Sequence, residues 1–181
     1  MKELTKLCIV CLTTLLLHSC FGGGSNTPDN EMSFHGVSFK YPSYWTSETE
    51  ELKYSYHIEC KERFASGTML LVSFFEGEGQ PGELLINYID GVHLSSEQVN
   101  VTTKFTGLDR YGNYNCQFVE YEIEALRTKS YGKAYAFTAN GKSVLIVEQS
   151  ERHYDLKHDK FKLIRESFVV DAQDKVSNPE E

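Results

Sequence analysis

The stretch YGKAYAFTANGKSVLIVEQS, residues 131–150, decides the fold class of this chain. Two runs rich in apolar residues, YGKAYAFTA and SVLIVEQS, lie on either side of Asn140 and Gly141. Both of these residues tolerate the positive φ angles that a tight hairpin turn requires. Two such runs joined in this way predict an antiparallel β-hairpin. The chain therefore contains an antiparallel sheet, and we interpret the neighbouring segments as further strands or as helices packed on it.

Strand patterns precede the hairpin along much of the chain. In ELKYSYHIECK, residues 51–61, apolar and polar side chains alternate, which predicts one half-buried strand. TMLLVSFFE, residues 68–76, is apolar on both faces and predicts a central strand. In YNCQFVEYEIEAL, residues 114–126, the apolar alternation changes parity between Phe118 and Val119. This change predicts a bulge or a twist at that point.

Two helices are predicted from apolar residues that recur with the period of an α-helix. The first follows GEGQPG and has Pro81 in its first turn, where proline is favoured. Its apolar stripe consists of Leu85, Tyr88, Ile89 and Val92. The second begins after Ser150, an expected N-cap. Its apolar positions are Tyr154, Phe161, Ile164 and Phe168. Residues 168–170 predict a short closing strand.

The first twenty residues predict export and lipidation. Two lysines precede residues 7–17, which are apolar apart from two threonines and too few to span a bilayer, as in a signal peptide. Leu17-His18-Ser19-Cys20 resembles the lipobox of bacterial lipoproteins, although His18 stands where a small residue is usual. The resemblance implies that residues 1–19 are removed. Cys20 then carries a diacylglyceryl group and usually a third acyl chain, which anchor the protein to a bilayer.

The residues after Cys20 predict a tether and then one folded domain. Residues 20–32 contain three glycines, a proline and polar side chains, as a flexible linker does. The folded domain is expected over residues 33–170, and residues 171–181 are expected to be a polar tail. The predicted location is the bacterial cell envelope, with the domain outside the cytoplasm.

The two ends of the predicted domain carry a family resemblance. GVSFKYPSYW, residues 36–45, combines a glycine, an alternating strand, a Tyr-Pro turn and a tryptophan, and KSVLIVEQS leads into a helix and the short segment SFVV. This order over residues 33–170 resembles the superfamily that contains photosystem PsbP, the Mog-type Ran-binding proteins and bacterial DcrB-like lipoproteins. The resemblance implies an α+β, PsbP-like sandwich in which helices cover an antiparallel β-sheet. It also implies a role in binding or assembly.

Charge and motifs argue against several function classes. The chain has 181 residues with 18 Lys+Arg, 26 Asp+Glu and a net charge of −8. The basic residues are spread through the sequence, so nucleic acid is not an expected partner. Neither HExxH nor GxSxG occurs, which weighs against metalloprotease and serine-hydrolase chemistry. We therefore expect a protein that is not an enzyme and that uses no cofactor and no metal.

The histidines do not form a convincing metal site. His153 and His158 lie on the predicted second helix beside Asp155 and Asp159. Five residues of helix separate the two imidazoles by about 140°, so they do not share a face as an i, i+4 metal pair does. A solvated polar helix face is the favoured interpretation.

Besides the lipidated Cys20, the exported domain keeps two cysteines, Cys60 and Cys116, each on the apolar face of a predicted strand. If those strands are neighbours, the thiols can form a disulfide worth about 3–4 kcal/mol in an oxidising envelope. If they are not, both serve as small buried apolar side chains. The sequence leaves both interpretations open.

Five tyrosines crowd one third of the chain: Tyr111, Tyr114, Tyr121, Tyr131 and Tyr135. Cross-strand pairs explain most of them without a ligand. The loop GLDRYGNYN, residues 107–115, is the candidate for partner contact, through Asp109, Arg110, Tyr111 and Tyr114.

Three function hypotheses follow. The preferred one is a non-catalytic envelope lipoprotein that binds a partner protein or helps to assemble a membrane complex, and it requires an exposed apolar or aromatic patch. The second is a small-molecule or glycan binder, which requires a pocket lined by the tyrosines. The third is a hydrolase without a known motif, which requires His57, His93 or His158 against a carboxylate in a cleft.

Overall fold

The computed structural model describes residues 29–63, 67–95, 98–125, 128–152 and 160–172. In chain order its elements are β1 (Asn30–Phe34), β2 (Val37–Tyr41), β3 (Trp45–Leu52), β4 (Ser55–Glu62), β5 (Met69–Glu76), α1 (Pro81–Leu94), β6 (Val99–Tyr111), β7 (Tyr114–Ala125), β8 (Thr128–Ala139), β9 (Lys142–Ser150), α2 (Lys162–Ser167) and β10 (Val169–Val170). Seven strands form an antiparallel sheet in the order β3-β4-β5-β9-β8-β7-β6. Three form a small sheet in the order β1-β2-β10.

The large sheet has a different cover on each face. Apolar side chains of the small sheet and of α2 pack against one face. Helix α1 packs on the other face, over β6, β7, β8 and β9. Strands make up 63% of the described residues and helices only 15%. The α+β class is confirmed, but the expectation that helices cover the sheet is overstated, because a second sheet covers one of its faces.

The small sheet begins inside the segment that was predicted to be a tether. The tether was expected over residues 20–32, but the strand Asn30–Phe34 pairs in antiparallel register with Val37–Tyr41. His35 and Gly36 form the turn between them, with φ angles of 47° and 76°. The predicted end of the tether at residue 32 therefore lies too far along the chain. Strand β1 is already part of the fold, because it pairs with β2 and its two apolar side chains pack on the core.

The stretch 51–61 was predicted to be one strand, and the structure divides it. Leu52 ends β3 and Ser55 begins β4, so Lys53 and Tyr54 form the turn of a hairpin. Tyr54 is 76% exposed at the tip of this turn. The apolar alternation continues through the turn residues, so the pattern alone does not reveal the reversal of the chain.

The parity change in β7 has a cause other than a bulge in that strand. Phe118 belongs to the core beneath the small sheet, whereas Val119 belongs to the core beneath α1. Strand β7 therefore buries one face near its start and the opposite face near its end. The extra residue lies on the partner strand, where Lys104 is skipped between the pairs Thr103↔Tyr121 and Phe105↔Glu120. The predicted position of the bulge was wrong.

Other predicted elements are confirmed. Asn140 and Gly141 have φ angles of 52° and 78° and join β8 to β9, with Ala139 paired to Lys142. Strand β5 is central, with neighbours on both sides. Helix α1 begins at Pro81. Of the predicted second helix, the described part is the short α2, which leads into the closing strand β10, and Tyr154 lies outside the described residues.

Candidate functional site

The hairpin of β6 and β7 carries the four residues that were predicted to contact a partner, and it divides them into two pairs. Asp109 and Arg110 are exposed. Tyr111 is fully buried, with its ring centroid 5.0 Å from that of Tyr135. Tyr114 is half-buried, and its ring stacks on Phe137 at 4.9 Å. The expectation that Tyr111 offers contact surface was wrong, because its ring is part of the core, whereas Tyr114 is partly buried against that core.

A polar pocket of about 380 Å³ lies on the face of the large sheet that also carries α2. Its lining includes Lys104, Asp109, Arg110, Glu120, Tyr131 and Tyr135. Strands β6, β7 and β8 present these side chains side by side. Asp109 and Arg110 therefore line a recess that is reached from three strands and not from the hairpin tip alone.

Lys133 organises the charges of this polar pocket. Its ammonium lies 2.9 Å from a carboxylate oxygen of Asp109 and 3.4 Å from one of Glu120, and 4.0 Å from the ring centroid of Phe118. Partial burial is the largest single influence on the pKa of Asp109 and raises it, but the hydrogen bonds from Lys133 and from the backbone amide of Arg110, together with the charges of Lys133 and Arg165, hold that pKa below its usual value. Acidic and basic groups therefore alternate around the pocket as ionised pairs.

A buried ion pair lies beside the pocket, between β9 and α2. Glu148 is fully buried, and the Nε atom of Arg165 donates to its Oε1 atom at 2.8 Å. The Nη2 atom donates to Oε2, so the pair is bidentate. Burial raises the pKa of Glu148, and the hydrogen bonds from Arg165 oppose that rise. Sequence analysis did not identify this pair, although a glutamate inside the apolar run SVLIVEQS is a signal for one.

An apolar groove of about 490 Å³ lies between α1 and β6. Its lining includes Leu85, Ile86, Ile89, Thr106, Leu108 and Val119. Ile86 is 61% exposed and Leu108 is 83% exposed. Among the described residues that line the groove, Asp90 is the only charged one. Sequence analysis missed this surface, because Ile86 falls outside the buried stripe of the helix and Leu108 was counted with a loop.

The hydrolase hypothesis named His57, His93 and His158, and the structure describes the first two of them. His57 is buried, and its two ring nitrogens lie 2.9 Å from the hydroxyl oxygens of Ser55 and Ser73. His93 is exposed near the end of α1. His158 lies outside the described residues. In the part of the chain that the structure describes, no three potential ligand side chains gather as a metal site requires.

The buried imidazole of His57 makes stability depend on pH. Burial lowers the pKa of His57 from 6.5, and Glu50 on the neighbouring strand opposes this effect. The unfolded chain then binds more protons than the folded one below about pH 6.5, so stability falls as the pH falls. We expect urea unfolding to give a lower free energy of unfolding at pH 5.5 than at pH 7.5, by at most about 1.4 kcal/mol for each pH unit from this group.

His57→Gln should reduce this difference in the free energy of unfolding between pH 5.5 and pH 7.5. The control His93→Gln, at an exposed histidine, should preserve it, and an equal response of both variants would contradict the assignment.

The two thiols do not meet. Cys60 lies on β4 and Cys116 on β7, and the strands β5, β9 and β8 separate them. Four strand spacings amount to about 19 Å along the sheet, whereas disulfides join Cα atoms about 4.4–6.8 Å apart. Both cysteines are free and buried. The interpretation as a disulfide was wrong, and burial raises the thiol pKa of Cys60 to about 12 and that of Cys116 to about 11.

The glycine-rich segment GEGQPG, residues 77–82, follows β5 and leads into α1, as a dinucleotide-binding loop does. Its backbone is already engaged within the fold. The amide of Gly79 donates to the hydroxyl of Ser143 at 2.5 Å, and that hydroxyl donates to the carbonyl of Gly77 at 2.7 Å. The sheet beside it is antiparallel rather than the parallel sheet of a βαβ unit. The segment therefore serves as a closed connection to the helix.

Comparison with solved structures identifies the fold. The solution structure of cyanobacterial PsbP (CyanoP) from Synechocystis sp. PCC 6803 has a TM-score of 0.62 and 17% identity, covering 86% of this chain and 99% of that one. A crystal structure from Bacteroides thetaiotaomicron has a TM-score of 0.51 and 12% identity, covering 76% of this chain and 46% of that one. This chain therefore has a PsbP-like fold, as the sequence resemblance predicted.

Other comparisons add less. LpqN, which is involved in cell envelope biogenesis of Mycobacterium tuberculosis, has a TM-score of 0.48 and 9% identity, covering 80% of this chain and 86% of that one. No family model matches the chain, and no curated protein matches it significantly. No helix in the described ranges has the length and apolar content needed to cross a membrane.

Proposed function

We propose that this chain is a non-catalytic module of the bacterial cell envelope, anchored to a membrane through acylated Cys20, that binds a partner protein in the apolar groove. The exposed apolar lining of the groove carries the proposal. Exposed apolar surface that is continuous with a recess is typical of an interaction surface. The lipobox-like sequence at Cys20 supports the anchoring, and the acyl chains hold the domain at the bilayer while leaving the groove free.

The charges of the groove and of the chain define the chemistry of the partner. Asp90 is acidic, and no lysine or arginine lines the groove. The chain as a whole has a net charge of −8, so a second copy of it is repelled. We therefore infer that the occupant is a segment of another protein, apolar along its length and neutral or basic at its ends.

Photo-crosslinking in intact cells tests the proposal. A photoreactive residue in place of Leu108 should capture one protein, identified by mass spectrometry, whereas the same residue in place of Tyr54 should capture none in stoichiometric amount. Tyr54 is the matched control, because it is 76% exposed at the far turn between β3 and β4.

A second substitution links the capture to the groove itself. Adding Ile86→Glu places a carboxylate in the apolar lining and should reduce the capture at least tenfold, while the exposed position leaves stability within about 0.5 kcal/mol. Cys20→Ala should release the protein from the membrane fraction and leave the groove intact. Capture that is unchanged by Ile86→Glu, or equal from Tyr54, contradicts the proposal.

The polar pocket favours a second candidate function, the binding of a glycan. Tyr131 and Tyr135 line it beside the ionised pairs of Lys133, and sugars are bound by aromatic faces together with such hydrogen-bonding groups. A glycan array probed with the lipid-free protein tests this function. Binding that is lost in Tyr131→Ala and retained in Ile86→Glu would support it, and the absence of any bound glycan would remove it.

A further inference from the structure

We infer that the apolar groove takes an extended segment of its partner, which pairs with the free edge of β6, adds an eighth strand to the large sheet and turns alternate side chains toward the groove. The inference rests on the proposed function of the groove and names the conformation in which the partner binds.

The first observation is the position of β6 in the sheet. Strand β6 is last in the order of the large sheet, and within the described residues it pairs with β7 alone. The outer edge of such a strand presents backbone N–H and C=O groups that an extended chain can use. The groove lies beside this edge, on the face of the sheet that carries α1, and its floor is formed by residues of β6 such as Thr106 and Leu108 and by Gln117 and Val119 of β7.

The second observation is that α1 leaves an apolar side chain exposed at the groove. Leu85 and Val92 are buried against the sheet, whereas Ile86, on a neighbouring row of the helix, remains exposed over the groove. Neighbouring strands lie about 4.8 Å apart. A strand added beside β6 would place alternate side chains on the face of the sheet that carries α1, next to Leu108, and would cover that exposed residue.

The bulge in β6 sets the length of the added strand. Pairing with β7 is continuous from Phe105↔Glu120 to Tyr111↔Tyr114, and the skipped residue Lys104 interrupts it on the other side. Bulges and lysines on an edge strand limit pairing with other chains. The added strand therefore spans about the seven residues opposite 105–111. Its side chains facing α1 are apolar, with a basic one near Asp90. A helical occupant would leave the backbone groups of this edge unused.

The spacing of the crosslinked residues along the partner tests the inference. Full-length protein with a photoreactive residue at Thr106 or Leu108, which both line the groove on one face of β6, is irradiated in intact cells, and the joined partner residues are mapped by mass spectrometry. If the partner forms an added strand, the partner residues crosslinked from successive positions of β6 should lie two residues apart and should follow one another in order along a single segment of the partner. In the purified complex, amide exchange over residues 105–111 should also slow at least tenfold.

Each alternative outcome is distinct. Partner residues three or four apart indicate a helix and overturn the added strand while leaving the partner-binding function in place. Crosslinks to this same chain indicate a second copy and overturn the choice of occupant. Unchanged amide exchange over 105–111 in a captured complex overturns the backbone pairing. No capture from either position overturns the proposed function together with this inference.

Discussion

Replacing Arg165 by methionine is expected to lower the free energy of unfolding by about 3–5 kcal/mol, the usual effect of removing one partner from a buried ion pair. Glu148 is fully buried on β9, and Arg165 on α2 donates two hydrogen bonds to it. Without the guanidinium, the carboxylate remains charged in a medium of low dielectric or takes up a proton. Urea unfolding at pH 7.5, followed by the fluorescence of the single tryptophan, Trp45, measures the loss.

A matched double variant separates the lost charge pair from lost packing. Arg165→Met with Glu148→Leu removes both charges, so it should recover most of the stability that Arg165→Met loses. The loss in Arg165→Met should also be smaller at pH 4.5 than at pH 7.5. The pKa of Glu148 is already raised by burial, so the unpaired carboxyl of the variant is protonated more readily in the folded state. A loss below about 1 kcal/mol at pH 7.5 would mean that the pair does not hold α2 to the sheet.

The elements that sequence analysis predicted correctly are those that local rules define. The turn at Asn140 and Gly141 needs two residues that accept positive φ, and both are present. Strand β5 is apolar on both faces because α1 and the small sheet cover opposite sides of the large sheet. Helix α1 has a proline at its start and one buried stripe. Each signal lies within a single short segment, so no knowledge of distant contacts was needed.

The errors come from contacts between distant segments. Strand β1 has only two apolar side chains, Met32 and Phe34, and its stability depends on pairing with β2 and on packing against the core. Tyr111 looked like an exposed loop residue, but it follows the alternation of β6 onto the face that the small sheet covers. Hydrophobic periodicity predicts that one face of a strand is buried, but it does not predict which other part of the protein packs against that face.

The two recessed surfaces show the same limit. Asp109 and Arg110 could be identified as polar residues near a turn, and both line the polar pocket. The apolar groove joins Ile86 on the helix to Leu108 on an edge strand, and only the strand order shows that β6 is the edge. The sequence contains both residues without any signal that connects them.

Replacing Phe168 by alanine is expected to lower the free energy of unfolding by about 3–5 kcal/mol, because it opens a cavity where the two sheets meet. Phe168 is buried between α2 and β10. Its ring stacks on Phe39 of the small sheet at 5.8 Å and meets the edges of Tyr111 and Phe137 of the large sheet at 5.4 Å and 6.2 Å. One side chain therefore joins the aromatic groups of both layers. Urea unfolding of the variant measures the loss.

Val169→Ala is the control for Phe168→Ala, since Val169 is the next residue along and is 41% exposed. It should change stability by no more than about 0.5 kcal/mol. If both variants lose the same amount, the effect comes from strand β10 rather than from the aromatic contacts. The groove lies on the opposite face of the large sheet, in contact with α1. The aromatic contacts of Phe168 therefore stabilise the domain without forming part of the apolar groove. Photo-crosslinking from position 108 should persist in the folded fraction of Phe168→Ala.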